Sequence, residues 1–365
     1  MIKTKTLIAK FTHSQLLIPV IALIALMLFN VLRCLLSGDF SFFEISIVQN
    51  NAGYDVLSGN LIAIINNASE VVILAIGMTL VTAASKGQDI SVGAVAAVAG
   101  SVFVSVLLAN EATWGIILYA FMMSALVAML CGAFTGTLVA IFKVQPMIAS
   151  LILFTTARSI AYWINGGATP IVPTQHPAIW LGRFFPGSPV HTPIYLVILC
   201  SAIIVLVLKF TNLRLYVQSV GINEKAARLN GIDPVRIKLV TFMILGVCCA
   251  IAGVIGVGRI GQMEHDKILL GVEMDTILAV AIGGNALGGG KFSIVGSMIG
   301  AYVIQALTTT LFAMRVPSTD IQAYKAVVII IIVTVASPVV KSSAIKLWGM
   351  LTGKKKAASA LPDKQ

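Results

Sequence analysis

Long apolar runs separated by short polar punctuation organise this chain. Cutting it at charge clusters and at Pro, Gly and Asn predicts ten helical spans. They cover about residues 15–36, 57–82, 90–109, 114–142, 145–165, 193–210, 239–258, 272–288, 293–314 and 322–340. A helix rising 1.5 Å per residue needs about 20 residues to cross a hydrocarbon core roughly 30 Å thick, and most of these runs are close to that length. They do not alternate every second residue, as barrel strands would. The pattern predicts an all-α polytopic membrane protein forming one transmembrane domain over residues 1–365.

Composition narrows the picture. Of the 365 residues, 58% are hydrophobic and only 11% charged, against about 25% charged in soluble domains. That balance excludes a cytosolic enzyme. The net charge of +11 is spread between apolar blocks and forms no compact basic face, so it does not point to nucleic acid. It fits the positive-inside bias instead. With both termini cytoplasmic, the inside segments hold 18 of the 25 Lys and Arg. Inside acids are few: Asp89, Glu224, Asp233 and Asp363. Lys3, Lys5 and Lys10 precede an apolar run from Leu16 to Leu36 that is too long for a signal-peptide core, so a retained first span is expected.

The longest polar connections are about Ser37 to Asp55, Gly166 to Thr192 and Thr211 to Lys238, too short for a soluble domain. Gly288 to Lys291 lacks the spacing and the Ser or Thr of a phosphate-binding loop. Energy from ATP would have to come from a partner. Cys34, Cys131, Cys200, Cys248 and Cys249 lie in apolar stretches without metal-ligand spacing, and His13, His176, His191 and His265 show none either. No cofactor or metal is expected on the chain.

Three places carry candidate chemistry. In the loop from Thr211 to Lys238, Asn223 is placed to cap a short helix over Glu224 to Asn230. Ala226 and Ala227 put no bulk on that helix, Gly231 stops it and Pro234 prevents its continuation. Such a helix suits a groove in a partner, and a bulky residue at Ala227 is expected to leave the spans undisturbed; a solvated basic loop is the plainer alternative. Arg158 falls 13 residues into its span, roughly 20 Å deep. It is expected either to pair with Glu70, Glu273 or Asp275 or to meet a solute. Finally, Gly283, Gly284, Asn285, Gly288, Gly289 and Gly290 form either a hinge or a close-packing surface. Leu74–Gly100 and Leu278–Ala301 also look alike, each an apolar run, a Gly-containing polar break, then a Ser and a Gly-punctuated helix. Breaks at matching places in two halves point to a transport pathway, with small-residue packing as the alternative.

Four segments resemble the permease subunits of bacterial ABC importers for simple sugars, of the ribose and galactofuranose type. They are GMTLV at Gly77–Val81 continuing to DISVGA at Asp89–Ala94, KVQPMIASLILFTTAR at Lys143–Arg158, VGINEKAARLNGI at Val220–Ile232, and EMDTILAVAIGGNALGGGK at Glu273–Lys291 with KAVVIII behind it. The resemblance implies a vitamin-B12-importer-like permease fold with two pseudo-repeated halves in the bacterial inner membrane. It implies a second permease subunit, ATPase subunits that bind ATP and Mg, and an extracytoplasmic sugar-binding protein. Gly221, Asn223, Glu224, Ala226, Ala227, Arg228 and Gly231 would form the ATPase-coupling loop. Gln88, Asp89, Ser91, Arg158, Glu273, Asp275, Gly283, Gly284, Asn285 and Gly288 would serve the pathway or its gate. The chain departs from the pattern at Lys86–Asp89, where Gly-Gly-Ile-Asp is usual, at Ser159 in place of Gly, and in the length of Ser37–Asp55. A nucleoside or branched-chain amino acid importer of the same build stays open, as does an ion-coupled carrier using Glu70 or Asp275.

Overall fold

A computed structural model describes residues 16–49 and 53–336. The lysine-rich ends, with Lys3, Lys5, Lys10, Lys341, Lys346, Lys354, Lys355, Lys356 and Lys364, lie outside the described residues, as do residue 15 and residues 337–340 of the expected first and tenth spans. The chain divides into two units after Val316.

In the first unit the elements are α1 (Leu17–Ser37), β1 (Ser46–Gln49), β2 (Asp55–Ser58), α2 (Asn60–Asn67), α3 (Ser69–Ser85), α4 (Val92–Leu108), α5 (Trp114–Ala140) and α6 (Pro146–Ile164). There follow α7 (Thr192–Phe210), α8 (Leu213–Ile222), α9 (Glu224–Leu229), α10 (Pro234–Ile260), α11 (Val272–Ile282) and α12 (Ile294–Ala313). The second unit contains α13 (Ile321–Ala336). Among the described residues, seven helices are long and apolar enough to cross a membrane, with α2 and α3 counted as one, and α4 is a shorter apolar helix. The protein is an all-α, multi-pass membrane protein.

Three elements differ from the pattern read along the sequence. The expected span 272–288 is the 11-residue helix α11, about 16 Å long and half the depth of a bilayer core. It stops because Gly284 turns into the left-handed region at φ 78°. Helix α10 begins at Pro234 rather than near 239: Pro234 fills its first turn while the Asp233 side chain accepts from Val235 N. The polar stretch after α1 holds an antiparallel hairpin, with Ile47 opposite Leu57. It is tied to the rest of the unit by a bond from Leu57 N to Pro189 O of 2.9 Å.

The centre of the first unit is built on α3, in which every residue is buried. Helix α10 packs on α3, α4 and α5. No hydrophobic force separates a helix face from lipid tails, so close approach of small residues has to hold such crossings. Gly132 of α5 lies against the Phe242 carbonyl, and Gly246 of α10 against the Ala128 carbonyl, with no room for a Cβ at either place. Ser124 crosses from α5 to donate to Ala99 O of α4 at 2.9 Å. Gly132→Ala and Gly246→Ala should each cost about 1–3 kcal/mol through overpacking. Gly115→Ala, where nothing lies within 4 Å, should be near neutral. Thermal unfolding of the detergent-solubilised protein checks this as two lowered midpoints and one unchanged.

Candidate functional site

Helix α9 starts where the sequence places it. Asn223 Oδ1 accepts from Lys225 N and Ala226 N, each at 3.1 Å, filling donors that a first turn leaves open. At its end Ile232 N donates to Ala227 O at 3.1 Å, and Gly231 takes φ 78° to let the chain leave. Arg228 and Ala226 are exposed and Leu229 is 90% exposed. Ala227 is buried at 4%, which overturns the expectation that a bulky group there would leave the packing alone. The side of the helix turned away from the chain carries Ala226 and Leu229.

Glu224 does more than begin the helix. Its two carboxylate oxygens lie 2.7 Å from Lys143 Nζ and 2.7 Å from Lys238 Nζ. One side chain thus joins α9 to the α5–α6 connection and to α10. Partial burial raises the Glu224 pKa, but the hydrogen bonds and charges of Lys143 and Lys238 outweigh it and hold the carboxyl at about 2. Neither lysine stood out in the sequence as a partner, because Lys143 is 81 residues away and Lys238 is 14.

Just before α9, Gly221 sits where three segments meet. A Cβ there would collide with the Ala83 carbonyl at the end of α3 and lie 2.6 Å from Gly290 N. Gly290 N itself donates to Ala83 O at 2.9 Å, and Lys86 Nζ reaches Ile222 O at 3.4 Å. The coupling loop, the Lys86 break and the glycine-rich stretch are separate candidates in the sequence, yet they share one contact.

The two breaks are tied in similar ways. After α3, Asp89 Oδ1 accepts from Ser91 N at 2.7 Å and Ser91 Oγ at 2.5 Å, and Ile90 N donates to Ser150 Oγ at 3.0 Å. Gln88, Asp89 and Ser91 are all buried; Asp89 and Ser91 close the break with each other, while Gln88 Nε2 has no hydrogen-bond partner among the described residues. After α11, Asn285 donates to Val280 O at 3.1 Å and Ser297 Oγ at 2.7 Å, and accepts from Ser293 N at 2.6 Å. Ser297 Oγ meets Thr79 Oγ1 of α3 at 2.6 Å. Gly283 packs against the backbone of Gly296 and Ser297, whereas a Cβ added at Gly288 would meet nothing within 4 Å. Close packing therefore accounts for Gly283, a left-handed turn for Gly284, and Gly288 is in the open.

Among the described residues Arg158 forms no ion pair with an acid, contrary to one of its two expected roles. Its Nη1 donates to the carbonyls of His265, Asp266 and Ile268 at 2.9, 3.2 and 3.1 Å. Glu70 is taken by Arg259 at 3.2 Å. Glu273 is buried and accepts from Gly271 N at 3.3 Å, and Asp275 on the same helix is half-buried. Arg158 thus fixes the loop before α11, a role that its sequence position alone does not reveal.

The depressed Glu224 pKa has a signed consequence. Because the folded value lies below the ordinary 4.5, the stability it contributes is fully present above about pH 4.5 and is lost as pH falls towards about 2. Thermal midpoints of the purified protein should fall more steeply over that window for the unmodified chain than for Glu224→Gln, which should already be less stable at pH 7.

Residues 60–337 match the family described as branched-chain amino acid transport system / permease component. The chain is 38% identical to the galactofuranose transporter permease protein YtfT of Escherichia coli K12 over 285 residues, covering 77% of this chain and 80% of that protein. It is 32% identical to the fructose import permease protein FruF of Bifidobacterium longum, covering 87% of each. Identity to the ribose import permease protein RbsC of Escherichia coli K12 is 34%, covering 76% of this chain and 85% of RbsC. No solved structure matches. With the family matched over most of its length and relatives at this identity, the chain belongs to the branched-chain amino acid transport system / permease component family.

Proposed function

We propose that this chain is the permease subunit of an ATP-driven importer that carries a simple sugar across the bacterial cytoplasmic membrane. The observation that carries the reading is its 38% identity to a galactofuranose permease together with 32% and 34% identity to fructose and ribose permeases, each over three quarters of the chain or more. The family's description names branched-chain amino acids, so leucine serves as the competing solute in the test. The chain performs no covalent chemistry. Two permease copies, or this one and a different permease, enclose the passage, a separate ATPase binds ATP and Mg, and an extracytoplasmic binding protein delivers the sugar. Both termini face the cytoplasm.

The coupling segment runs from Gly221 through Asn223, Glu224, Ala226 and Arg228 to Gly231, with exposed Leu229 as its apolar contact. A permease driven by a partner needs a rigid element whose contacts differ between two states. Three features support α9 in that role: its Asn223 cap, the Glu224 clamp to Lys143 and Lys238, and the Gly221 contact with both helix breaks. The breaks at Gln88, Asp89 and Ser91 and at Gly283, Gly284, Asn285 and Gly288 are the parts that shift. Arg158, Glu273 and Asp275 belong to the opposite end of the passage.

Uptake of radiolabelled ribose, fructose and galactofuranose in cells producing the chain with its ATPase and binding protein tests the reading. One of the sugars should accumulate, resist a protonophore while ATP is kept high, and ignore excess leucine. Accumulation that follows the proton gradient without ATP, or that leucine abolishes, would overturn it. Thr169→Cys should be labelled by an impermeant thiol reagent only from outside, and Asn212→Cys only from the cytoplasm. Leu229→Asp should leave membrane abundance unchanged while ATPase co-purification and uptake fall at least ten-fold. Ala227→Trp should instead lower abundance, since its site is filled.

A further inference from the structure

Three separate stretches of the first unit come together around a groove of about 500 Å³. They are the start of α1, the end of α7 with the first turn of α8, and the start of α12. One side of the groove is apolar, with Val205, Leu208, Phe292 and Val295 lining it. The other side holds Lys209, in the last turn of α7, and Arg214, in the first turn of α8. Along α7 the exposed residues Ile198, Ala202, Val205 and Lys209 follow one another at steps of four, three and four, which sets them in one row. An apolar row that α7 turns to lipid therefore leads into the groove and ends on a cation.

The charge of this groove has no counterpart in the chain. Lys209 and Arg214 are exposed, and among the described residues neither is in an ion pair. Lys209 Nζ lies 6.0 Å from the Phe210 ring centre. The described acids assigned to the cytoplasmic side are occupied elsewhere. Asp89 holds Ser91, Glu224 is clamped by Lys143 and Lys238, and Asp233 pairs with Arg236 at 3.1 Å. Outside the described residues the chain has the same sign, since residues 1–15 contain three lysines and no acid, and residues 337–365 six lysines and one acid. The 20-residue helix α12 adds the positive end of its dipole at Ile294.

An occupant that is anionic at one end and apolar at the other matches both sides at once. We propose that this groove binds an anionic phospholipid of the cytoplasmic leaflet, with the phosphate at Lys209 and Arg214 and an acyl chain along Val205 and Val295. Net charge decides between lipids, because a zwitterionic headgroup brings an ammonium that offsets the attraction of two unpaired cations, whereas an anionic one does not. The choice of leaflet rests on the cytoplasmic placement of Asn212 proposed above, while the match of charge and apolar surface stands without it.

Native mass spectrometry of the full chain purified with its ATPase, stripped of lipid and titrated with phosphatidylglycerol or phosphatidylethanolamine, tests the site. The parent should hold phosphatidylglycerol roughly ten-fold more tightly, and the preference should shrink as ionic strength rises. Lys209→Gln combined with Arg214→Gln should reduce it to two-fold or less, whereas Arg236→Gln, whose cation is paired with Asp233, should leave it unchanged. Val205→Trp, which fills the apolar side with both cations in place, should weaken phosphatidylglycerol binding at least five-fold, and it keeps the test decisive if the double variant folds poorly. A parent that does not distinguish the lipids, or a double variant that still does, overturns the proposal. Displacement of phosphatidylglycerol by an equal concentration of inorganic phosphate overturns it too, because the occupant is then a free anion. So does a double variant that keeps the lipid preference but loses the ATPase or a second permease copy, because the groove is then a protein interface. Labelling of Asn212→Cys from outside would overturn the leaflet together with the importer topology. If the lipid preference holds but the parent takes up no sugar, the importer reading falls and the lipid site stands.

Discussion

In a bilayer there is no water to satisfy a backbone group that leaves a helix, so any break in a span has to be closed by the chain itself. Two breaks of this kind organise the protein. After α3 the Asp89 carboxylate holds Ser91, and after α11 the Asn285 amide gathers Val280, Ser293 and Ser297. Each break is followed by a serine that precedes the next helix, α4 or α12. Short polar side chains are the economical answer, because one carboxylate or amide can replace several missing backbone partners.

Once closed in this way, the breaks become contact surfaces. Backbone meets backbone at Gly221, Ala83 and Gly290, at a distance that leaves no room for a Cβ on Gly221. The short helix α9 follows one residue after Ile222, and the Glu224 clamp ties it to α10 and to the α5–α6 connection. Displacement of α9 would therefore be felt at both breaks and along the long central helix, with no side-chain slack to absorb it. A stiff contact of this kind suits a subunit whose work is driven from outside itself.

Arg158 and the face of α6 show how one helix can serve two purposes. Its buried side packs on α4, its arginine closes the carbonyls of a loop 107 to 110 residues away, and its outward side turns from apolar to hydroxylated halfway along. Three carbonyl oxygens accept from Arg158 Nη1, while its Nη2 is buried without a hydrogen-bond partner among the described residues.

Period, length and composition by themselves determined the all-α membrane class and most helix limits, because a bilayer imposes one solution on long apolar runs. The cap at Asn223 and the stop at Gly231 were equally legible, since a helix end is a property of a few consecutive residues. The hairpin at Ser46–Ser58 was not read, although its β-branched residues carried a signal. Which groups meet across the fold was beyond the sequence. Glu224 chooses Lys143 and Lys238, Arg158 chooses carbonyls over Glu70 or Glu273, and Ala227 is buried while Leu229 is exposed. Those choices depend on where helices cross, and a crossing is decided by the shapes of two surfaces far apart in the chain, which no local pattern encodes.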